Sequence, residues 1–394
     1  MNITVVTTHL TLMGGVGKFT LDYANELCVR GHNITIVAQK IDLDLFKFNK
    51  KIRLIEVGGP LPKSLFYWFK FNQIKKKYIN ISDKLDNGII FSQLFPSNYF
   101  CANLNDLHNS KYILYCHEPY RLFHDKNYLF KAPLFLKISG YFLKIFFKKY
   151  DIEGTIAANG ILCNSIFTKN KVKDIYGKDS YIFYPILKMD NPDDLIDFNL
   201  RQMLKINKNT SILFTLGLSH HMKGPKILIL IFEKILKEIP ETILLIGSHI
   251  SKKNKANIKK LAKKLKIPKQ NLRFCGIIKN DLLKHYYNQS TLTFYTAIDE
   301  PFGQIPIESM KYGTPVIAFE GGGPSETILD GKTGYLIKQG DLNGFAQKAI
   351  ILMKDKELYK KFSENAKKHV NDNFSFEQSV MKLESFFQKM LSKN

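Results

Sequence analysis

Ile3-Thr4-Val5-Val6-Thr7 is a β-branched run, and a glycine-bearing loop at Gly14-Gly15-Val16-Gly17 follows it. Leu21, Ala24, Leu27 and Cys28 then recur at helical spacing. Gly31 stands where a helix C-cap belongs, and Ile34 to Ala38 is a second β-branched run. A strand, a helix and a strand joined by short turns make a βαβ unit, whose two strands run parallel. The opening residues therefore predict an α/β domain.

The same rhythm resumes after residue 210. Ile212 to Leu216 and Ile243 to Ile246 predict strands around a helix at Ile227 to Leu236, and further strands are expected at Leu272 to Phe274, Leu292 to Tyr295 and Val316 to Phe319. Gly321-Gly322-Gly323-Pro324 reads as a loop. At 394 residues the chain exceeds what one core usually organises. The turn-forming acidic stretch Asn191-Pro192-Asp193-Asp194 lies near the expected hinge, which gives domains of residues 1–187 and 188–394. Val380, Leu383, Phe386, Phe387 and Leu391 predict an amphipathic helix over about 376–391 with one face to bury.

Composition bounds the chemistry. The five cysteines are scattered and include no C-x-x-C pair, so neither zinc nor redox chemistry is expected, and a reducing cytoplasm fits. No basic segment followed by an apolar one marks a secretory signal at Met1. The longest apolar stretch, Ala132 to Phe147, is interrupted by Lys137 and Lys144 and falls short of the roughly 20 residues that span a bilayer. A formal charge of +23 suits an anionic partner, although Lys, Asn and Ile are abundant along the whole chain. A nucleic-acid binder would account for the charge alone, so no nucleic acid is expected.

Most informative is Asp299-Glu300-Pro301-Phe302-Gly303-Gln304-Ile305-Pro306-Ile307-Glu308. A strand ends at two acids, a glycine lets the backbone approach a ligand, and a helix begins with unpaired amides pointing back at the turn. Such a helix start carries roughly half a positive charge and suits a diphosphate. Glu300 and Glu308 would repel a phosphate, so they accept hydroxyls instead, one set on a sugar and one on a ribose. A nucleotide-diphosphate sugar satisfies every group.

The stretch resembles the E-x7-E signature of the family 4 glycosyltransferases, whose fold is GT-B. Asn271-Leu272-Arg273-Phe274-Cys275-Gly276, Gly323-Pro324-Ser325-Glu326-Thr327 and Asp330-Gly331-Lys332-Thr333-Gly334-Tyr335 are similar to segments flanking that signature. Gly14-Gly15, His117-Glu118-Pro119 and Asn164-Ser165-Ile166-Phe167-Thr168 resemble family segments of the N-terminal half.

The resemblance implies two Rossmann-like α/β domains facing a cleft, with the final helix crossing back to the N-terminal, acceptor-binding domain. It implies a retaining hexosyltransferase acting on a saccharide or lipid-linked acceptor. Glu300 and the backbone of Phe302, Gly303 and Gln304 would hold the donor sugar and diphosphate, with Ile305 near the phosphate and Glu308 on the ribose. Lys223 takes the place of the family's phosphate-binding lysine, Gly15 lets the N-terminal loop close over the donor, and His117 lies beside the transferring sugar. Read by itself, a histidine that closes the apolar run Tyr112 to Cys116 is equally a core residue. Cys116-His117-Glu118-Pro119 and Tyr184-Pro185 are similar to mannosyl-transferring members, which favours GDP-mannose over a UDP-sugar.

One departure matters. The family usually carries an arginine five or six positions before the lysine, where this chain has Leu218 and Gly217. A cation about 4 Å from the leaving diphosphate contributes up to roughly 4 kcal/mol at an effective dielectric of 20. A catalytically weak or inactive nucleotide-sugar binder, or an epimerase of the same fold, is the alternative reading. No metal and no other cofactor is expected; Asp42-Leu43-Asp44 has the D-x-D form without its context.

Two basic aromatic stretches, Leu61 to Tyr78 and Leu122 to Tyr150, have the composition of helices that lie on an acidic membrane surface. Core aromatics with solvated lysines on the helix backs explain the same pattern.

Overall fold

The β-branched runs that open each half become inner strands of two parallel sheets. The computed structural model describes every residue except 63–64, 109, 127, 129–133, 191–197, 219–223, 248–249 and 393–394. The stretch expected to hold the hinge, Asn191 to Asp194, lies outside the described residues. Two units are present, Met1–Lys188 with Phe376–Asn394, and Met189–Ser375.

The first unit contains β1 (Asn2–Val6), β2 (Asn33–Ala38), β3 (Arg53–Glu56), β4 (Ile89–Ser92), β5 (Lys111–Cys116), β6 (Gly160–Cys163) and β7 (Tyr181–Ile182). They pair in the order β3-β2-β1-β4-β5-β6-β7, every pair parallel, with Ile3 opposite both Ile34 and Ile89. Helices cover both faces, so the inner strands read as short apolar runs without alternation. That pattern explains why only β1 and β2 are legible as strands in the sequence of this half. Helix Gly15–Val29 ends as the pattern predicts: Gly31 N–H donates to Cys28 O and His32 N–H to Leu27 O, which caps the last carbonyls.

Helix Phe376–Leu391 packs on this first unit. Val380, Leu383 and Phe387 enter its core, each contributing about 2 kcal/mol of transfer free energy. Ser379 Oγ and Tyr23 Oη share a hydrogen bond of 2.7 Å, and Glu384 meets Arg30 at 3.1 Å and His32 at 2.7 Å. The buried face ends on Met390, whereas Leu391 is exposed.

The second unit contains β8 (Ser211–Leu216), β9 (Thr242–Gly247), β10 (Leu272–Gly276), β11 (Leu292–Tyr295), β12 (Val316–Phe319) and β13 (Gly334–Ile337). Their order is β10-β9-β8-β11-β12-β13, again all parallel. Pro324 opens a helical turn, Pro324–Thr327, so the glycine loop stops one residue short of the expected end. In each sheet the strand order reverses beside the first strand, between β1 and β4 and between β8 and β11. Loops leaving the carboxyl ends of those strands diverge to opposite faces and open a crevice for a ligand.

Candidate functional site

In the second unit the crevice lies between the loops that follow β8 and β11. The loop after β11 runs from Thr296 to Gly303 and feeds helix Gln304–Lys311; the loop after β8 ends at Gly224 and feeds helix Pro225–Glu238. Among the described residues neither helix has a side-chain cap from its N-cap residue. The loops touch: a β-carbon on Gly224 would lie 2.5 Å from Thr296 O, and one on Gly217 would lie 3.6 Å from Ile305 Cδ1. Two uncapped helix starts thus adjoin one crevice, a geometry that binds an anion.

The Glu300 turn is held from below by the loop after β12. Gly323 N–H donates to Glu300 O at 2.8 Å. Gly303 has φ +85°, a conformation open to glycine and costly for other residues. Asp299, just before Glu300, also sits at positive φ (+52°). Phe302 is buried, which fixes the turn, and both amide atoms of the Gln304 side chain are buried with no hydrogen-bond partner among the described residues. Unsatisfied buried amides cost about 1–3 kcal/mol, so Gln304 is a candidate position for a partner from outside the described residues.

Glu308 sits one helical turn further and is buried. Tyr287, on helix Asn280–Asn288, donates its hydroxyl to Glu308 Oε2 at 2.9 Å. Burial first, and then the Glu308 charge, push the Tyr287 phenol well above its ordinary value, so it remains a donor. Ser309 Oγ donates to Thr314 O (2.9 Å) and shares a hydrogen bond with Thr293 Oγ1 (2.7 Å), which pins the same helix to β11. No linear motif announces Tyr287. Tyr287→Phe is expected to cost about 1–3 kcal/mol in unfolding free energy, because a buried carboxylate oxygen loses its donor. Urea denaturation checks this, and an unchanged midpoint would contradict it.

Glu300, Phe302, Gly303, Gln304, Ile305 and Glu308 therefore come together around one turn and one helix. Lys223 lies outside the described residues, as do His220 and His221. Gly217 and Leu218, which replace the expected arginine, are unsuited to one: Gly217 has φ +81° and Leu218 is in the core.

In the first unit, Gly14 caps and Gly15 begins the helix that follows β1. A β-carbon on either would meet nothing within 4 Å, whereas one on Gly17 would strike Leu12 O at 2.8 Å. Packing within this unit thus requires Gly17 and leaves the Gly14-Gly15 turn open. His117 follows β5, and its ring packs against Tyr115 (4.2 Å) and Phe19 (5.6 Å). Part of the residue reaches solvent, but Nε2 is sealed, with no partner among the described residues. Burial lowers its pKa to about 3, so the ring is neutral near pH 7. Asp42 Oδ1 accepts the amide of Asp44 at 3.0 Å, a local turn that accounts for this D-x-D stretch. A groove of about 770 Å³ beside helix Lys252–Lys264, lined by Ile258, Leu261 and four lysines, holds none of the predicted site residues.

Comparison with known proteins decides the family. A family model described as glycosyl transferases group 1 matches residues 197–369, and one described as glycosyltransferase family 4 matches residues 13–185. The chain is a family 4 glycosyltransferase.

This glycosyltransferase is 26% identical to the α-1,3/1,6-mannosyltransferase ALG2 of Dictyostelium discoideum, in an alignment covering 99% of the chain and 98% of that protein. It is 31% identical to the N-acetyl-α-D-glucosaminyl L-malate synthase of Bacillus anthracis over 49% of each chain. Among solved structures, sucrose-phosphate synthase from Thermosynechococcus elongatus superposes with a TM-score of 0.82 at 16% identity, covering 100% of both chains. Anabaena HepE, solved with UDP and glucose, gives 0.74 at 15% identity, over 99% of the glycosyltransferase and 100% of HepE. These likenesses assign the GT-B fold.

Proposed function

We propose that this glycosyltransferase moves a hexose from a nucleotide-diphosphate sugar to a saccharide or lipid-linked saccharide, with retention at the anomeric carbon. The observation that carries the proposal is the pairing of uncapped helix starts at the β8/β11 crevice with a buried, Tyr287-oriented Glu308. Amides suit the diphosphate, and an oriented carboxylate suits a ribose diol. Glu300, with the Phe302 to Gln304 backbone, would hold the sugar, and Lys223 would offset the leaving charge. Gly14 and Gly15 would leave room for the donor, and neutral His117 would hydrogen-bond to the sugar rather than supply a cation. No metal or other cofactor enters this scheme. Rate enhancement comes from positioning and from stabilising the departing diphosphate.

GDP-mannose is the preferred donor, because the ALG2 relative aligned over nearly the whole chain is named a mannosyltransferase. A UDP-sugar is the second reading, from the UDP bound by HepE. A weak enzyme or a binding subunit is favoured only by Gly217 and Leu218, where the arginine is missing. The N-terminal domain would receive the acceptor, at an acidic membrane surface on the cytoplasmic side if it is lipid-linked.

Incubation with GDP-mannose or UDP-hexoses, with and without saccharide and polyprenyl-diphosphate-linked acceptors, tests the proposal. The expected result is acceptor-dependent release of nucleoside diphosphate and a product with the donor's anomeric configuration. Conversion of the donor with no acceptor present would instead support epimerisation.

A further inference from the structure

Helix Leu134–Ile156 has two apolar faces, and the fold uses one. At 100° per residue, Leu143, Phe147, Tyr150 and Gly154 share the inward face. It is locked there: a β-carbon on Gly154 would lie 2.5 Å from Tyr99 N, and Asp151 meets Asn98 at 3.1 Å, Tyr176 at 2.8 Å and His124 at 2.7 Å. The opposite face carries Phe135, Ile138, Tyr141, Phe142, Ile145 and Phe146, each between 51% and 64% exposed. Lys137, Lys144 and Lys148, spaced by seven and four, stack in one row along an edge of that stripe. Alongside, helix Leu65–Phe69 packs Trp68 on Phe147 at 4.8 Å and leaves Phe66 and Phe69 exposed, with Lys70 Nζ 4.9 Å from the Phe66 ring centroid.

We propose that this stripe docks the chain on an anionic lipid bilayer, with the helix lying in the plane of the interface. Rings and aliphatic side chains would enter the boundary between headgroups and acyl chains, and the lysine row would reach lipid phosphates. Charge selects this occupant. No Asp or Glu lies between Leu134 and Tyr150, so the charges along this part of the helix are all cationic, and exposed Glu153 follows only near its end. A second copy would bring the same lysines with no carboxylate from residues 134–150 to face them, whereas anionic headgroups supply the complementary charge. The segment lies on the membrane rather than spanning it: among the described residues no helix is long and apolar enough to cross. The proposal deepens the lipid-linked form of the acceptor but is tested without turnover, so either can fail alone.

The test is sedimentation of the full chain with vesicles of phosphatidylcholine, alone or mixed with phosphatidylglycerol, across a salt series. Binding to the mixed vesicles at low salt, weakening as salt rises, is expected. Lys137→Ser/Lys144→Ser/Lys148→Ser should lose about a hundredfold in affinity, close to a factor of five per lysine near an anionic surface. Phe142→Asp/Ile145→Asp should lose at least tenfold, with unfolding midpoints unchanged because these side chains are exposed. Absence of binding at low salt, or binding by both variants as tight as that of the unaltered chain, would overturn the proposal. So would a concentration-dependent dimer abolished by Phe142→Asp, since it would assign the stripe to a second copy.

Discussion

Gly323→Ala is expected to destroy the donor site without removing any group that would touch the donor. The added β-carbon would lie 2.1 Å from Phe302 O and 2.2 Å from Phe302 Cα, both backbone atoms that no rotamer change can move. Gly322 is equally confined, 2.2 Å from Glu300 O. Relief requires the Glu300-to-Gly303 turn to lift away, breaking the 2.8 Å bond from Gly323 N–H to Glu300 O and misaiming the amides at Gln304. Overpacking of this kind costs about 1–3 kcal/mol and sometimes more. In a unit of this size that lowers the unfolding midpoint by roughly 2–12 °C. Nucleotide affinity should fall by at least a hundredfold. Gly15→Ala is the control for stability alone, because its β-carbon meets nothing within 4 Å and the unfolding midpoint should not fall. Calorimetry of both variants decides; a Gly323→Ala protein with normal stability and binding would contradict the packing described.

Glu300→Ala carries the second large effect. In the proposed site its carboxylate would accept sugar hydroxyls, and a site built around such bonds typically loses about 10²–10³ in rate when one partner is removed. Most of the loss should appear in kcat, with KM less affected, if the bonds tighten as the glycosidic bond breaks. The turn itself should survive, because the backbone carbonyl of residue 300, not its side chain, receives the bond from Gly323. Steady-state rates on the true substrates check this. Near-normal turnover would remove Glu300 from the site.

Sequence and structure agree where local chemistry is decisive. The runs at Ile212 to Leu216 and Ile243 to Ile246 appear as β8 and β9 within a residue of the expected ends, and Leu292 to Tyr295 is β11 itself. Short, β-branched and bounded by turns, they have no competing reading. Most of the first sheet was hidden for the opposite reason: β4 is four buried residues and β7 only two, too short for any periodicity. The aromatic stretch at Leu61 to Tyr78 divides between core and surface, and the core reading accounts for only part of it. Tyr67, Trp68, Phe71 and Tyr78 are core, while Phe66 and Phe69 face outward.

At the candidate site the linear motif was legible because one turn and one helix carry it. Tyr287 was not, since it reaches Glu308 from another helix, and a hydroxyl that serves a distant carboxylate leaves no local spacing. Gly323 was legible as a loop residue, but its tight contact with Phe302 belongs to tertiary packing.

The most direct test of the account is calorimetric titration of the full chain and of Glu308→Gln with UDP, GDP and ADP. The amide keeps an oxygen for the Tyr287 hydroxyl while removing the charge that would hold the ribose. One of the three nucleotides should bind the unaltered chain and, at a hundred times its Kd, stabilise it by about 2.7 kcal/mol. Glu308→Gln should bind that nucleotide at least tenfold more weakly. Failure of all three to bind the unaltered chain would contradict a nucleotide-sugar site at this crevice.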